Sequence, residues 1–283
     1  MVTSPSSSVR QARQELAQRL RDIRIEAGLS ARAIARAAGW HESKCSRIEH
    51  ARTAPSPADI RAWCRVCGAE SEIPGLLASL HAADSAYVEW RRLAAGGFRH
   101  LQNAYVPLYE RTQRIGCYQS HVVPGLLQTE SYAAALIKAM ATFHGSPDDS
   151  AEAAAARVAR SRVLHSPDHE VTAIVEEAVL TYCIGGPQVM TGQLGYLLDV
   201  MGAPGLRLGV IPAATERPTV WTLEGFTAFG EAPVQVELLS ARVVITRPQE
   251  AGLYVRALAE LGALAVYGRE ARELINAALA VFS

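Results

Sequence analysis

The sequence predicts a mainly helical protein of two domains, in which a five-helix bundle precedes a larger helical domain of the α+β class with a small antiparallel or mixed sheet. The chain has 283 residues, and single hydrophobic cores usually split beyond roughly 250. Apolar residues recur at helical spacing in the first 80 positions, whereas short β-rich runs separated by Gly, Pro and Ser follow residue 167. We therefore expect domains at residues 10–82 and 83–283, after a disordered leader at residues 1–9.

The composition is typical of a globular protein and argues against a membrane span. Hydrophobic residues make up 49%, charged residues 20%, and the mean hydropathy is +0.06. No stretch approaches the ~20 uninterrupted apolar residues that a membrane-spanning helix needs. The polar start lacks the apolar centre of a secretion signal, and five cysteines, an odd number, fit a reducing compartment. We therefore expect a cytoplasmic protein.

Charge is distributed unevenly along a chain whose net charge is zero. Residues 1–70 carry 12 Lys and Arg against 7 Asp and Glu, and residues 71–283 carry 16 against 21. Clustered basic residues attract phosphates, so nucleic acid is the expected partner of the first domain. The alternative is the ordinary scatter of charge between small domains.

The first helix is predicted over residues 9–27. Its apolar residues recur every three or four positions, as in a helix with one buried stripe, at Leu16, Leu20, Ile23 and Ala27. Gly28 can end this helix in a left-handed cap, because glycine has no Cβ.

Two short helices are predicted next, over residues 30–38 and 41–50, with Gly39 permitting the tight turn between them. Cys45 and Ile48 are the expected inward positions of the second of these helices. Two short helices joined in this way form a helix-turn-helix. A fourth helix is predicted to begin at Ser56, capped by that serine and followed by Pro57 and Asp59, and a fifth is predicted over residues 73–80.

These helices carry a resemblance to a known family, in the run RLRDIRIEAGLSARAIARAAGWHESKCSRIEHARTAPSPADIRAWCRVCGA. Without gaps, it resembles the helix-turn-helix of the phage-repressor (XRE) superfamily, which has the lambda-repressor-like fold. The resemblance implies a structural ion pair between Arg24 and Glu49. Two positions depart from the family pattern: Ala33 replaces an acidic residue, and Ala51 replaces the commoner glycine after the third helix.

In that fold the start of the third helix enters the major groove of double-stranded DNA, so its exposed side chains are candidates for DNA contacts. We expect Glu42, Ser43 and Arg47 to read bases, because Arg47 can donate two hydrogen bonds to guanine and Glu42 can accept one from cytosine. Phosphate-binding or supporting roles are expected for five others, namely Arg32, Arg36, His41, Lys44 and Arg52. For any single side chain the alternative is a solvated surface charge.

The second domain is expected to begin with helices over residues 84–165 and to continue with alternating strands and helices. The expected strands are residues 170–180, 206–212, 225–230, 234–239 and 241–246. Helices are expected at residues 187–202, 248–266 and 268–281.

This region resembles the uncharacterised domain that follows the helix-turn-helix in actinobacterial antitoxin-like and WhiJ-like regulators. The motifs that carry the resemblance are VPGLLQTESYA, RVARSRVLH, EEAVL followed by GG, QLGYLLD, LRLGVIP and the Tyr and Leu spacing that starts at Tyr254. The resemblance implies a small cognate partner protein and a toxin–antitoxin-like or developmental context.

Signals for enzymatic or metal chemistry are weak. Cys117 and His121 are four residues apart and would share one face of a helix, but the residues between them suggest no activating arrangement. Glu176 and Glu177 are adjacent on a predicted strand and would point to opposite faces. Cys64 and Cys67 lie within a predicted helix and lack a second ligand pair, so core packing is favoured over zinc. We expect no catalytic residues, cofactor or metal.

These patterns together predict a DNA-binding transcriptional regulator that acts as a homodimer, with a second domain that binds a partner protein or a ligand. Dimerisation is expected because one short helix reads too few bases to find a site in a genome. One alternative is an antitoxin-like protein that sequesters a small cognate partner and autoregulates its operon. Another is a sensor of a small-molecule metabolite.

Overall fold

The structure is a computed structural model of the chain and describes residues 7–85 and 87–282. It divides into two compact units, with the boundary between Val88 and Glu89. Of the leader predicted over residues 1–9, the first six residues lie outside the described part of the chain, and the first helix begins at Ser7.

The first unit contains the five predicted helices. They are α1 (Ser7–Glu26), α2 (Ala31–Ala37), α3 (Glu42–Glu49), α4 (Pro57–Cys67) and α5 (Ile73–Ser85). One apolar core joins them, formed by Leu16, Leu20, Ile23, Ile34, Ala35, Cys45, Ile48, Ile60, Trp63, Cys64, Leu76 and Leu80. The indole nitrogen of Trp63 donates a hydrogen bond to the carbonyl oxygen of Leu20 at 2.9 Å, which satisfies the one polar atom that this side chain buries.

Local sequence signals set the ends of these helices. Gly28 and Gly39 both have φ of +68°, the left-handed conformation that glycine adopts at low cost. The hydroxyl of Ser30 accepts a hydrogen bond from the backbone of residue 33 and caps α2. Ser56 and Asp59 form a reciprocal capping box at the start of α4.

The second unit is built on a mixed sheet, and the predicted fold class is confirmed, although the sheet is larger than the small one expected. The sheet has eight strands in the order β1-β7-β6-β5-β2-β3-β4-β8, of which β2 to β8 belong to the second unit and β1 spans the boundary at Glu89. Their bounds are β1 (Tyr87–Glu89), β2 (Arg114–Gln119), β3 (Glu170–Glu176), β4 (Leu206–Ile211), β5 (Phe226–Phe229), β6 (Val234–Glu237), β7 (Ala241–Ile245) and β8 (Val266–Tyr267). Strands β2, β3 and β4 are parallel, whereas β5, β6 and β7 form an antiparallel meander beside β2.

Helices cover both faces of this sheet. They are α6 (Trp90–Leu93), α7 (Arg99–Arg111), α8 (Glu130–His144), α9 (Ser150–Ala159), α10 (Pro187–Val200), α11 (Pro248–Leu264) and α12 (Gly268–Val281). Helix α11 packs against the face to which Gly116 belongs, where a Cβ would collide with Leu258. Ile115 and Cys117 belong to the opposite face and join a core to which α10 and α12 contribute.

The expectation that residues 84–165 are mostly helical was wrong for two segments. Residues 87–89 form β1, and RIGCYQ, residues 114–119, forms the central strand β2. Pairing with β3 on one side and β5 on the other satisfies the backbone of β2, and this tertiary pairing overrides the helical context. The strand expected over residues 170–180 is also shorter, because a 3-10 turn begins at Glu177.

Ala51 provides a test of the turn after α3. It has φ of +51°, a conformation that costs an L residue roughly 1–2 kcal/mol and that glycine adopts without this cost. Glycine also raises the conformational entropy of the unfolded chain, which offsets part of the gain in stability. Ala51→Gly should therefore raise the free energy of unfolding of the first unit by about 1 kcal/mol in urea titrations. Ala54→Gly is the matched control, because this nearby exposed residue is not in that conformation. Equal effects of the two substitutions would contradict the strain at Ala51.

Candidate nucleic-acid interface

Helix α3 has one buried face and one open face. Cys45 and Ile48 are buried in the core of the first unit. Glu42, Ser43 and Arg47 are exposed, so the three residues expected to read bases lie on the open side of the helix. This division follows from the helical spacing, since residues three and four apart share a face.

A buried ion pair fixes the end of α3 to the end of α1. The Nε of Arg24 donates to one oxygen of the Glu49 carboxylate, and Nη2 donates to the other at 3.1 Å. The side chains of Arg24 and Glu49 are only 14% and 6% exposed. Nη1 of Arg24 also donates to the carbonyl oxygen of Leu29 at 2.9 Å, and the hydrogen bond to Glu49 raises the pKa of Arg24. One guanidinium thus connects α1, the turn before α2, and α3.

Lys44, which was expected to contact phosphate, forms an ion pair within the first unit. Its ammonium nitrogen lies 2.6 Å from Oδ1 of Asp59 and 4.5 Å from the centroid of the Trp40 ring. Burial alone would raise the pKa of Asp59, but hydrogen bonds from Lys44 and from Ser56 lower it. The ammonium of Lys44 therefore helps to join α3 to α4, and contact with a phosphate would have to compete with Asp59.

His41 caps the start of α3. Its Nδ1 accepts a hydrogen bond from the backbone N–H of Ser43 at 3.3 Å and lies 2.8 Å from the Ser43 hydroxyl. With Nδ1 as the acceptor, a neutral ring carries its proton on Nε2. This tautomer leaves the Nε2–H group as a hydrogen-bond donor, and the supporting role of His41 stays a prediction.

The remaining predicted cations differ in their partners. Arg32 forms an ion pair with Glu42 at 2.7 Å, but the two side chains are 83% and 60% exposed, so the pair is weak in water. Arg36, Arg47 and Arg52 are exposed and form no ion pair with any residue that the structure describes. These three guanidinium groups are the most available positive charges of the predicted set.

Two features of this surface were missed by sequence reasoning. Ser46 is exposed on α3, three residues after Ser43 and four after Glu42, and helical spacing would have added it to the open face. The ion pair of Lys44 with Asp59 had no local signal, because it depends on how α3 and α4 pack together.

The second unit does not bring together the thiol and imidazole that were considered as a catalytic pair. Cys117 lies on β2 and not on a helix, so the prediction that Cys117 and His121 share one face of a helix was wrong. Burial raises the pKa of the Cys117 thiol to about 12, which disfavours a thiolate. His121 follows the strand, and its Nδ1 lies 2.9 Å from the hydroxyl of Ser120.

The adjacent glutamates have separate contacts. Glu176 is buried at the end of β3, where it accepts a hydrogen bond from the Tyr118 hydroxyl at 2.6 Å and pairs with Arg217 at 2.6 Å. Glu177 begins the following turn and accepts a hydrogen bond from the backbone of Ala213.

In the first unit, burial raises the pKa of the Cys64 thiol to about 11.

The five-helix bundle and the open face of α3 define a helix-turn-helix DNA-binding regulator, and a family model described as a helix-turn-helix domain matches residues 15–73. The chain belongs to the family of a domain of unknown function (DUF5753), whose model matches residues 102–277, more than half of its length. Comparisons with curated proteins and with solved structures gave no significant match. Among the residues that the structure describes, no helix combines the length and apolar character needed to cross a membrane.

Two of the ion pairs that involve α3 should differ in their effect on stability. Glu49→Gln leaves the guanidinium of Arg24 without a carboxylate in a largely buried site and should lower the free energy of unfolding by about 2 kcal/mol. Glu42→Gln removes the same charge from an exposed pair and should change it by less than about 0.5 kcal/mol. Urea unfolding of both variants measures the difference, and similar values would show that the Arg24 pair does not anchor α3.

Proposed function

We propose that the protein is a sequence-specific transcriptional regulator of the phage-repressor (XRE) type that binds DNA as a homodimer. Each copy places α3 in a major groove, and the two grooves belong to an inverted or direct repeat. The observation that carries the proposal is the exposed guanidinium of Arg47, which forms no ion pair within the described part of the chain and lies on a helix whose inner face is buried. A dimer is required because eight residues of helix contact too few base pairs for specificity.

The contacts available to the side chains suggest a division of roles. Arg47 is proposed to bind the O6 and N7 atoms of guanine, and Glu42 and Ser43 are proposed to read neighbouring bases. Arg36 and Arg52 are proposed to bind phosphates, because they are exposed and have no intramolecular carboxylate partner among the described residues. Lys44, Arg32 and His41 support this surface, the first two through their carboxylate partners.

Removal of one arginine at a time distinguishes base reading from phosphate binding. Arg47→Ala should weaken binding to the operator by roughly 5- to 150-fold and relax specificity at one base pair, because a bidentate contact contributes about 1–3 kcal/mol. Arg52→Ala is the control of equal charge: it should weaken binding to all sequences and lower the salt slope by about 0.9. Genomic footprinting would supply the operator, and fluorescence anisotropy at several salt concentrations would measure both effects. Equal loss on all sequences for Arg47→Ala would contradict the base-reading role.

We propose that the second unit senses a ligand or a partner protein rather than catalysing a reaction, because Cys117 and Glu176 are buried in its interior. The resemblance to antitoxin-like regulators suggests a second candidate, the sequestration of a small cognate protein. The exposed indole of Trp221 favours this candidate, because tryptophan is enriched at the centres of protein interfaces. Co-expression with the adjacent gene should then yield a complex that Trp221→Ala weakens, and separate elution of the two proteins would contradict it.

A further inference from the structure

The second unit contains a small cavity lined by two arginines. It has a volume of about 90 Å³ and lies between α7, the end of α9 and the sheet. Thr227 of β5 and Gln235 of β6 face it, and their register with Cys117 places them on one face of the sheet. Arg157, in α9, and Arg160, one residue beyond its end, line the opposite wall. Two positive charges therefore border one enclosed space.

Arg157 is held by neutral groups. Its Nε donates to the amide oxygen of Gln102 at 3.1 Å, and Nη1 donates to the amide oxygen of Gln128 at 2.8 Å. Among the described residues no carboxylate forms an ion pair with this guanidinium. Burial, followed by repulsion from Arg160, lowers the pKa of Arg157 to about 10. An amide can orient a guanidinium but cannot neutralise it.

The guanidinium of Arg160 has fewer hydrogen-bond partners than that of Arg157. Its side chain is buried, with 6% of the residue exposed, and Nε has no hydrogen-bond partner in the described part of the chain. The guanidinium carbon lies 5.2 Å and 5.0 Å from the ring centroids of Tyr105 and Tyr109, and Nη1 reaches the carbonyl oxygen of Gln102 only at 3.5 Å. Glu237, which also lines the cavity, offsets part of this charge without forming an ion pair with either arginine among the described residues. A buried charge that lacks an ion-pair partner is costly, so this site favours the binding of an anion.

Two sequence motifs meet at the cavity. Gly125 and Gln128 belong to VPGLLQTESYA, and Arg157 and Arg160 belong to RVARSRVLH. A Cβ at Gly125 would lie 3.9 Å from both arginine side chains, so the loop passes directly beside them. The loop is also held in place, because the Gln128 amide donates to the carbonyl oxygen of Val123 at 2.7 Å. The arginines and their neutral partners are therefore positioned before any ligand binds.

An open groove of about 670 Å³ adjoins the cavity. The two spaces share six lining residues, namely Trp90, Gln119, Val122, Met140, Gly225 and Glu237. Phe143 and Leu239 are exposed in the groove, where they offer apolar surface. Glu237 is the carboxylate on the shared rim, and its charge disfavours a ligand with two negative charges.

We propose that the second unit binds a small organic monocarboxylate, with its carboxylate between Arg157 and Arg160 and its apolar body in the adjoining groove. A guanidinium matches a planar carboxylate through two parallel hydrogen bonds, and the cavity admits a headgroup rather than a whole metabolite. The existence of this binding site does not depend on the proposed function. Only a role of the ligand in regulating transcription rests on that function.

Binding is tested on the full-length protein without DNA, at constant ionic strength set with chloride. Acetate, butyrate, hexanoate and inorganic phosphate are titrated by calorimetry and by thermal shift. Affinity should rise about fourfold for each methylene between butyrate and hexanoate, because each enters the groove. No binding of hexanoate, equal affinity for butyrate and hexanoate, or phosphate binding as tight as hexanoate would overturn the proposal.

Three variants locate the site. Arg160→Met should lower hexanoate affinity at least tenfold, whereas Arg162→Gln should not change it, because Arg162 is exposed and pairs with Glu110. Since Arg160→Met removes a buried charge and could perturb folding, Phe143→Ser provides a surface test. It should lower hexanoate affinity more than butyrate affinity and so reduce the preference for hexanoate. Wild-type hexanoate affinity in Arg160→Met, or an unchanged preference in Phe143→Ser, would overturn the assignment.

Operator binding is then measured with and without saturating hexanoate. A change in operator affinity that Arg160→Met abolishes supports a regulatory site. If the chain binds hexanoate through Arg160 but binds no DNA specifically, the proposed function fails while the carboxylate site stands. If operator binding is normal and hexanoate does not bind, the carboxylate site fails while the proposed function stands.

Discussion

The function of the first unit depends on one constraint: α3 is too short to keep its orientation alone and must be held from behind. An eight-residue helix has few internal hydrogen bonds, and isolated helices of this length are unstable in water. Cys45 and Ile48 bury its inner face, while the pair of Glu49 with Arg24 fixes its end to α1. Rigid anchoring of the inner face would give the outer side chains the defined geometry that the proposed base contacts need.

The two units treat buried arginine in opposite ways. Arg24 is matched by a carboxylate and a carbonyl oxygen, so its charge and its hydrogen-bond donors are both satisfied. Arg157 and Arg160 have amide, carbonyl and aromatic neighbours, which orient them but do not neutralise them. The first arrangement stabilises a fold. The second leaves positive charge without an ion-pair partner beside a cavity, and such an arrangement is more typical of binding sites than of cores.

The sequence predicted those parts of the structure that local signals control. Ser30, Gly39 and Ser56 mark helix ends through their own backbone and side-chain preferences, so the first unit could be predicted closely. Strand β2 could not, because RIGCYQ lacks a clear alternation and is defined by partners far away in the sequence. The contacts of Lys44 with Asp59, and of Arg157 with Gln102, were hidden for the same reason, since each depends on packing between helices.

A carboxylate site would regulate transcription only under a thermodynamic condition. A ligand shifts DNA affinity only if it binds the DNA-competent and DNA-incompetent states with different affinity, and the coupling must act equally in both directions. Arg157 and Arg160 carry like charges beside one cavity, and an anion between them would reduce their repulsion. A site that is already ordered but unneutralised can therefore convert ligand binding into stability of one state, without a large rearrangement at the site itself.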